Sequence, residues 1–146
     1  MLTLIAVMGT LAGALLTGVL QHFAQRAQRM AQEAAERRSA GMDAVAALCV
    51  ALADHRAAMW DLGTVRLAGG EPEPARAEVR RTRSAVTDPL VRLQFLVPGA
   101  GEVARQAVGA VFGMREAQSA VKLREARERA AVAAEEVVAV GRGVFA

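Results

Sequence analysis

From Met1 to Gln21 no side chain is ionisable. His22 follows, and the first formal charge is Arg26. A bilayer core about 30 Å thick is spanned by roughly 20 apolar residues in a helix, and the run of Leu, Ile, Val, Met, Ala and Gly from Leu2 to Leu20 has that length. Thr3, Thr10 and Thr17 interrupt it, but a helix lets such hydroxyls bond its own carbonyls. Arginines 26, 29, 37 and 38 follow the segment and no charged side chain precedes it. The bias of basic residues toward the cytoplasmic side therefore predicts a single-pass protein of the cytoplasmic membrane, with its N-terminus outside, its C-terminal domain cytoplasmic and membrane lipid as a partner. Two alternatives stay open. A secretory signal peptide would end near Ala12-Gly13-Ala14 but lacks a basic start, and a core helix of a soluble bundle could carry the same residues.

The apolar phase does not stop at the first arginine. Gly9, Gly13, Leu16, Leu20, Phe23, Ala27, Met30 and Ala34 recur at spacings of three and four, the period of one helix face. Gly9 and Gly13 form a GxxxG pair that lets membrane helices approach closely. The expectation is a self-association seam carried by Gly9, Gly13, Phe23 and Met30, and with it a homo-oligomer. The organisation read from the pattern is a transmembrane helix over 1–21, a helical stalk over 22–40 and a cytoplasmic helical bundle over 41–146. A lone Gly costs a helix about 1 kcal/mol, so the spacing predicts a continuous or mildly kinked helix through Gly41.

Further on, Val45, Leu48, Leu52, His55, Met59 and Leu62 make a second stripe. Gly69-Gly70-Glu71-Pro72-Glu73-Pro74 stops one helix and starts another. The next helix, from about Pro74 to Val97, contains Pro89, which predicts a kink or a break near Thr87-Asp88, with Asp88 able to cap a new start. Pro98-Gly99-Ala100-Gly101 reads as a loop, Glu102 to about Gln118 as a helix, and Ser119 as the cap of a last helix. That helix keeps Leu123, Ala126, Ala130, Ala133, Val137, Val140 and Val144 in heptad register, and small residues there imply close packing. The fold class expected is all-α, an N-terminal single transmembrane helix continuing into an antiparallel bundle of about four helices.

Composition supports helices over sheets. Aromatics make up 3% of the chain, Tyr is absent and Ala is abundant. Cys49 is the sole cysteine, so no internal disulfide framework exists. The formal charge is only +3, although nearly every basic residue is Arg and the pI is about 10.3. A basic balance suits nucleic acid or anionic lipid, and Arg76, Arg80 and Arg83 share one helix face that could serve either. Glu73 and Glu78 lie near enough to offset that patch, and no aromatic accompanies it.

The sharpest polar cluster is Asp54, His55, Arg56 and Trp60. His55 lies on an apolar stripe, where it is either a core histidine held by a hydrogen bond or a pH-sensitive contact for a partner. Two His and one Cys give no metal-ligand spacing, Cys49 and His55 lie on different helix faces, and paired carboxylates such as Glu135-Glu136 fall among arginines. The helical run Lys122–Arg129 predicts the pairs Glu125–Arg129 and Arg124–Glu128. No catalytic, metal or cofactor residues emerge. The expectation is a non-enzymatic protein that acts by associating with itself or a partner. The alternative is a nucleic-acid- or anionic-lipid-binding module using Arg76–Arg83.

Several strings taken together resemble the KilB-type plasmid spread proteins of mycelial actinomycetes. They are Gly9-Thr10-Leu11-Ala12-Gly13, Val19-Leu20-Gln21-His22, Asp54-His55-Arg56-Ala57-Ala58-Met59-Trp60, Thr82-Arg83-Ser84-Ala85-Val86-Thr87 and Pro89-Leu90. The Asp-His-Arg-x-Ala-Met-Trp string is the most specific. The resemblance covers most of the chain. It implies a small membrane protein of conjugative plasmid spread with a protein partner in the transfer machinery, and it carries no catalytic residues.

Overall fold

A computed structural model describes residues 2–145, with side chains from Leu20 onward. The elements are α1 (Leu2–Leu67), α2 (Glu73–Leu96), a 3-10 turn (Pro98–Ala100), α3 (Gly101–Gly113), a second 3-10 turn (Met114–Glu116) and α4 (Ala120–Phe145). The chain divides into two compact units, Met1–Arg37 and Arg38–Ala146.

The first unit overturns the membrane reading. Among the described residues no helix is long and apolar enough to cross a membrane. The expected transmembrane helix, and the single-pass location in the cytoplasmic membrane built on it, are corrected accordingly. A crossing helix needs an almost uncharged stretch of roughly 20 residues. From Leu20 onward α1 carries Arg26, Arg29, Glu33, Glu36, Arg37 and Arg38, so the part of it whose side chains are described offers no such stretch. Gly9 and Gly13, with the apolar run around them, lie outside the described side chains. Phe23 and Met30 lie within them and are 63% and 70% exposed.

The second unit is an antiparallel four-helix bundle, and contacts between distant residues establish its topology. Gly41 meets Phe145 and Gly63 meets Leu123, so α1 and α4 run in opposite directions. His55 meets Thr82 across α1 and α2. Arg83 lies over Phe112 while Gln94 lies beside Gly101, which sets α2 antiparallel to α3. The core is the expected stripe, with Val45, Leu48, Leu52 and Met59 of α1 buried against Val86 and Leu93 of α2, Ala104, Ala107 and Val111 of α3, and Leu123, Ala130 and Val137 of α4. Two of the α1–α4 contacts are possible only because a side chain is missing. A Cβ at Gly63 would stand 2.7 Å from Leu123 Cδ2, and one at Gly41 would collide with the Phe145 ring.

Three local expectations change. Helix α2 does not break at Thr87-Asp88 but runs through Pro89. Burial of Val86 on one side and Leu93 on the other outweighs one missing backbone hydrogen bond. The stretch from Pro98 closes as a 3-10 turn rather than an open loop, and it buries Ala100 completely. Helix α3 stops at Gly113 and tightens into a 3-10 turn before Ala117. The stop after α1 is as expected, since Gly69 takes the left-handed φ of +71° that glycine adopts without strain. Ser119 accepts from the Lys122 amide at 3.2 Å with its hydroxyl oxygen, the capping bond foreseen for α4. Helix α1 runs through Gly41 without a break.

Candidate functional site

His55 is 2% exposed, at the centre of the bundle face formed by α1, α2 and α3. Its Nδ1 lies 2.9 Å from Thr82 Oγ1. The Thr82 hydroxyl donates to the Glu78 carbonyl at 3.0 Å, one turn back along its own helix. With that proton engaged, Oγ1 presents a lone pair to the imidazole, so Nδ1 carries the ring proton and donates it. The Phe112 ring meets the imidazole edge-on at 4.9 Å, and the Arg83 guanidinium lies 5.2 Å above the other ring of that pair. Burial first, and the Arg83 charge second, hold the imidazole below its ordinary value, which keeps it neutral.

His55 is thus a core histidine held by a hydrogen bond, and its partner is the Thr82 hydroxyl. Of the cluster expected around it, only Trp60 and Arg56 gather elsewhere, while Asp54 is exposed. Trp60 is half-buried, with the Arg127 guanidinium 4.7 Å above its ring. Arg56, Arg124, Glu128 and Ala131 complete an open groove of about 460 Å³ around that pair. Arg127 and Arg124 are a turn apart on α4, and Arg56 and Trp60 a turn apart on α1, so the two helices present one shared face. Neither expected pair of α4 forms; Glu125 takes Lys122 at 3.2 Å instead of Arg129. Among the described residues, Arg56, Arg124 and Arg127 have no carboxylate within ion-pair distance.

The Arg76–Arg80–Arg83 patch is partly offset by Glu73, which meets two of its three arginines. Glu73 accepts from Arg80 at 3.0 Å and lies 3.7 Å from Arg76. The Arg80 hydrogen bond is the main cause that holds the Glu73 carboxyl below its usual range. Arg81 grips Glu78 with two nitrogens, at 2.6 and 2.9 Å, and that hydrogen bond likewise lowers the Glu78 carboxyl. Arg83 is spent on Phe112. Arg66, of which the sequence says nothing, reaches across to donate to the Arg115 and Ala117 carbonyls at 3.1 and 2.8 Å, closing the end of the second 3-10 turn.

Cys49 is half-buried beside Val45, Val138 and Phe145, and burial pushes its thiol up, away from nucleophile character. Among the described residues no cluster of His, Cys, Asp and Glu could hold a metal ion. Two partners escaped the sequence. Thr82 falls at the apolar phase of α2, three residues after Val79 and four before Val86, and that phase was a legible sign of burial. Nothing along the chain ties Trp60 to Arg127, and only the fold brings them together.

In the first unit the described part of the seam is Leu20, Phe23, Ala27, Met30 and Ala34. Leu20 is 62% exposed, so three large apolar side chains stand in solvent along one helical phase.

Comparison with known proteins gives one family and one close curated relative. The model of the family described as KilB plasmid transfer protein matches residues 42–144. Protein KilB of Streptomyces lividans is 46% identical over 146 aligned residues, covering 98% of this chain and 97% of its own. No solved structure matches.

Proposed function

The chain belongs to the KilB family of plasmid transfer proteins, and on that premise we propose that it serves plasmid spread as a non-enzymatic helical protein that assembles with copies of itself through the stalk seam. The observation that supports this reading is the exposure of Phe23 and Met30, 63% and 70%, at heptad spacing on an otherwise Gln-, Arg- and Glu-rich helix. Burying one such side chain contributes roughly 1.5–3 kcal/mol. A helix that leaves two of them in water gains that by pairing in a coiled-coil seam, with Ala27 and Ala34 allowing close approach. The family match begins at Met42, so the second unit carries the family's shared sequence. A protein of the transfer machinery is the partner for which that second unit is available.

Sedimentation equilibrium of the full chain tests the assembly. Wild type is expected to sediment as an oligomer and the Phe23→Glu/Met30→Glu pair as a monomer with an unchanged melting profile. A monomeric wild type, or a double variant that stays assembled, overturns the seam. A mating assay scoring plasmid spread with the same variant tests the biological half of the reading.

A further inference from the structure

The groove around Trp60 combines three features. It has an aromatic face, an arginine guanidinium 4.7 Å above that face, and two further arginines without carboxylate partners among the described residues. Glu128 is the one opposing charge in it, against Arg56, Arg124 and Arg127. Phosphates attract the arginines. A base, unlike a plain polyanion, also stacks on an indole or a guanidinium plane. On α2, by contrast, Arg76, Arg80 and Arg81 are paired with Glu73 and Glu78, and the aromatic beneath Arg83 is Phe112, which packs against the buried His55.

We propose that the α1–α4 groove of Arg56, Trp60, Arg124 and Arg127 is a binding site for single-stranded nucleic acid, in which a base stacks at Trp60–Arg127 and the flanking phosphates pair with Arg56 and Arg124. A duplex fits less well, because its bases are already stacked on one another and only its phosphates reach the arginines. The site lies wholly within the second unit, so it does not depend on the self-association seam. The Phe23→Glu/Met30→Glu chain is expected to bind as wild type does.

Trp60 is the only tryptophan, so its fluorescence reports this groove alone. Titration of the full chain with a short oligothymidylate is expected to quench Trp60 saturably. The slope of log K against log salt should be about −1.4, from roughly −0.7 for each of the two phosphates neutralised. Arg56→Gln and Arg124→Gln should each flatten it by about 0.7. Followed by the anisotropy of a labelled oligonucleotide, Trp60→Ala should weaken binding roughly 5- to 150-fold. Trp60→Phe keeps an aromatic ring, should recover most of that loss, and separates stacking from misfolding. Arg76→Gln and Arg80→Gln should change nothing. Absence of quenching at low salt overturns the proposal. So does equal quenching by duplex DNA or dextran sulfate, and so does a salt slope that Arg56→Gln and Arg124→Gln leave intact.

Discussion

Replacing Thr82 with Val tests the reading of the bundle interior most directly. The change keeps the branched shape and exchanges one hydroxyl for a methyl at a site that is 2% exposed. It removes the acceptor 2.9 Å from His55 Nδ1 and leaves that N–H buried with no alternative partner. The Glu78 carbonyl loses only a second, side-chain donor and is not stranded. Leaving one buried donor unsatisfied costs about 1–3 kcal/mol. The imidazole can reduce this by moving its proton to Nε2, which exchanges a stranded N–H for a stranded lone pair and favours the lower half of the range. For a unit the size of Arg38–Ala146, each kcal/mol displaces the melting temperature by roughly 4–8 °C, so a fall of roughly 4–16 °C is expected. Urea unfolding at neutral pH, followed by Trp60 fluorescence, reads the second unit alone. In a His55→Leu background the same Thr82→Val change should cost much less, with a coupling of about 1 kcal/mol or more between the two sites. A single-variant loss below about 0.3 kcal/mol, or two losses that simply add, would refute the assigned hydrogen-bond chain.

The same histidine sets a pH dependence. Burial, then Arg83, lower its folded value, while the unfolded chain takes the proton near pH 6.5. Stability from this group is therefore complete above pH 6.5 and falls as pH drops through it, by up to about 1.4 kcal/mol per pH unit, until the folded imidazole also protonates. Urea midpoints of wild type should fall over that window relative to His55→Leu, and parallel curves would exclude the effect. Gly63→Val should destabilise by about 1–3 kcal/mol, because even its Cβ would crowd Leu123 Cδ2 and Cδ1 at 2.7 and 2.9 Å. Combined with Leu123→Ala in thermal melts, the loss should be smaller than the sum of the two single variants.

The helices of the second unit were legible because burial there is periodic. Val45, Leu48, Leu52, His55 and Met59 all fall on the buried stripe, and the Gly69 turn and Ser119 cap lie where local chemistry puts them. At Pro89 the sequence left a kink or a break open, and helix α2 continues through it with Val86 and Leu93 buried on either side. The membrane reading failed for a different reason. It extended the uncharged run at the start of the chain to a bilayer crossing, and no helix among the described residues meets that requirement. The candidate sites were the least legible part. A pattern along one helix placed Arg76, Arg80 and Arg83 on one face with Glu73 near enough to offset them, and Glu73 meets two of the three. The Trp60–Arg127 pair joins residues from the first and last helices of the bundle, where periodicity carries no information about neighbours.

The contact between Gly41 and Phe145 has a consequence for the connectivity of the second unit. Its chain enters at Gly41 and, after four passes, arrives at Phe145 against the point of entry. The bundle is thus a nearly closed ring of polypeptide, with its two open ends meeting at one pole. A short peptide joining those ends, with a new opening cut at the exposed Ala68–Gly70 turn, would give a circular permutant with the same interior. The order in which the four helices are read is therefore a convenience of the genetic text rather than a requirement of the packing.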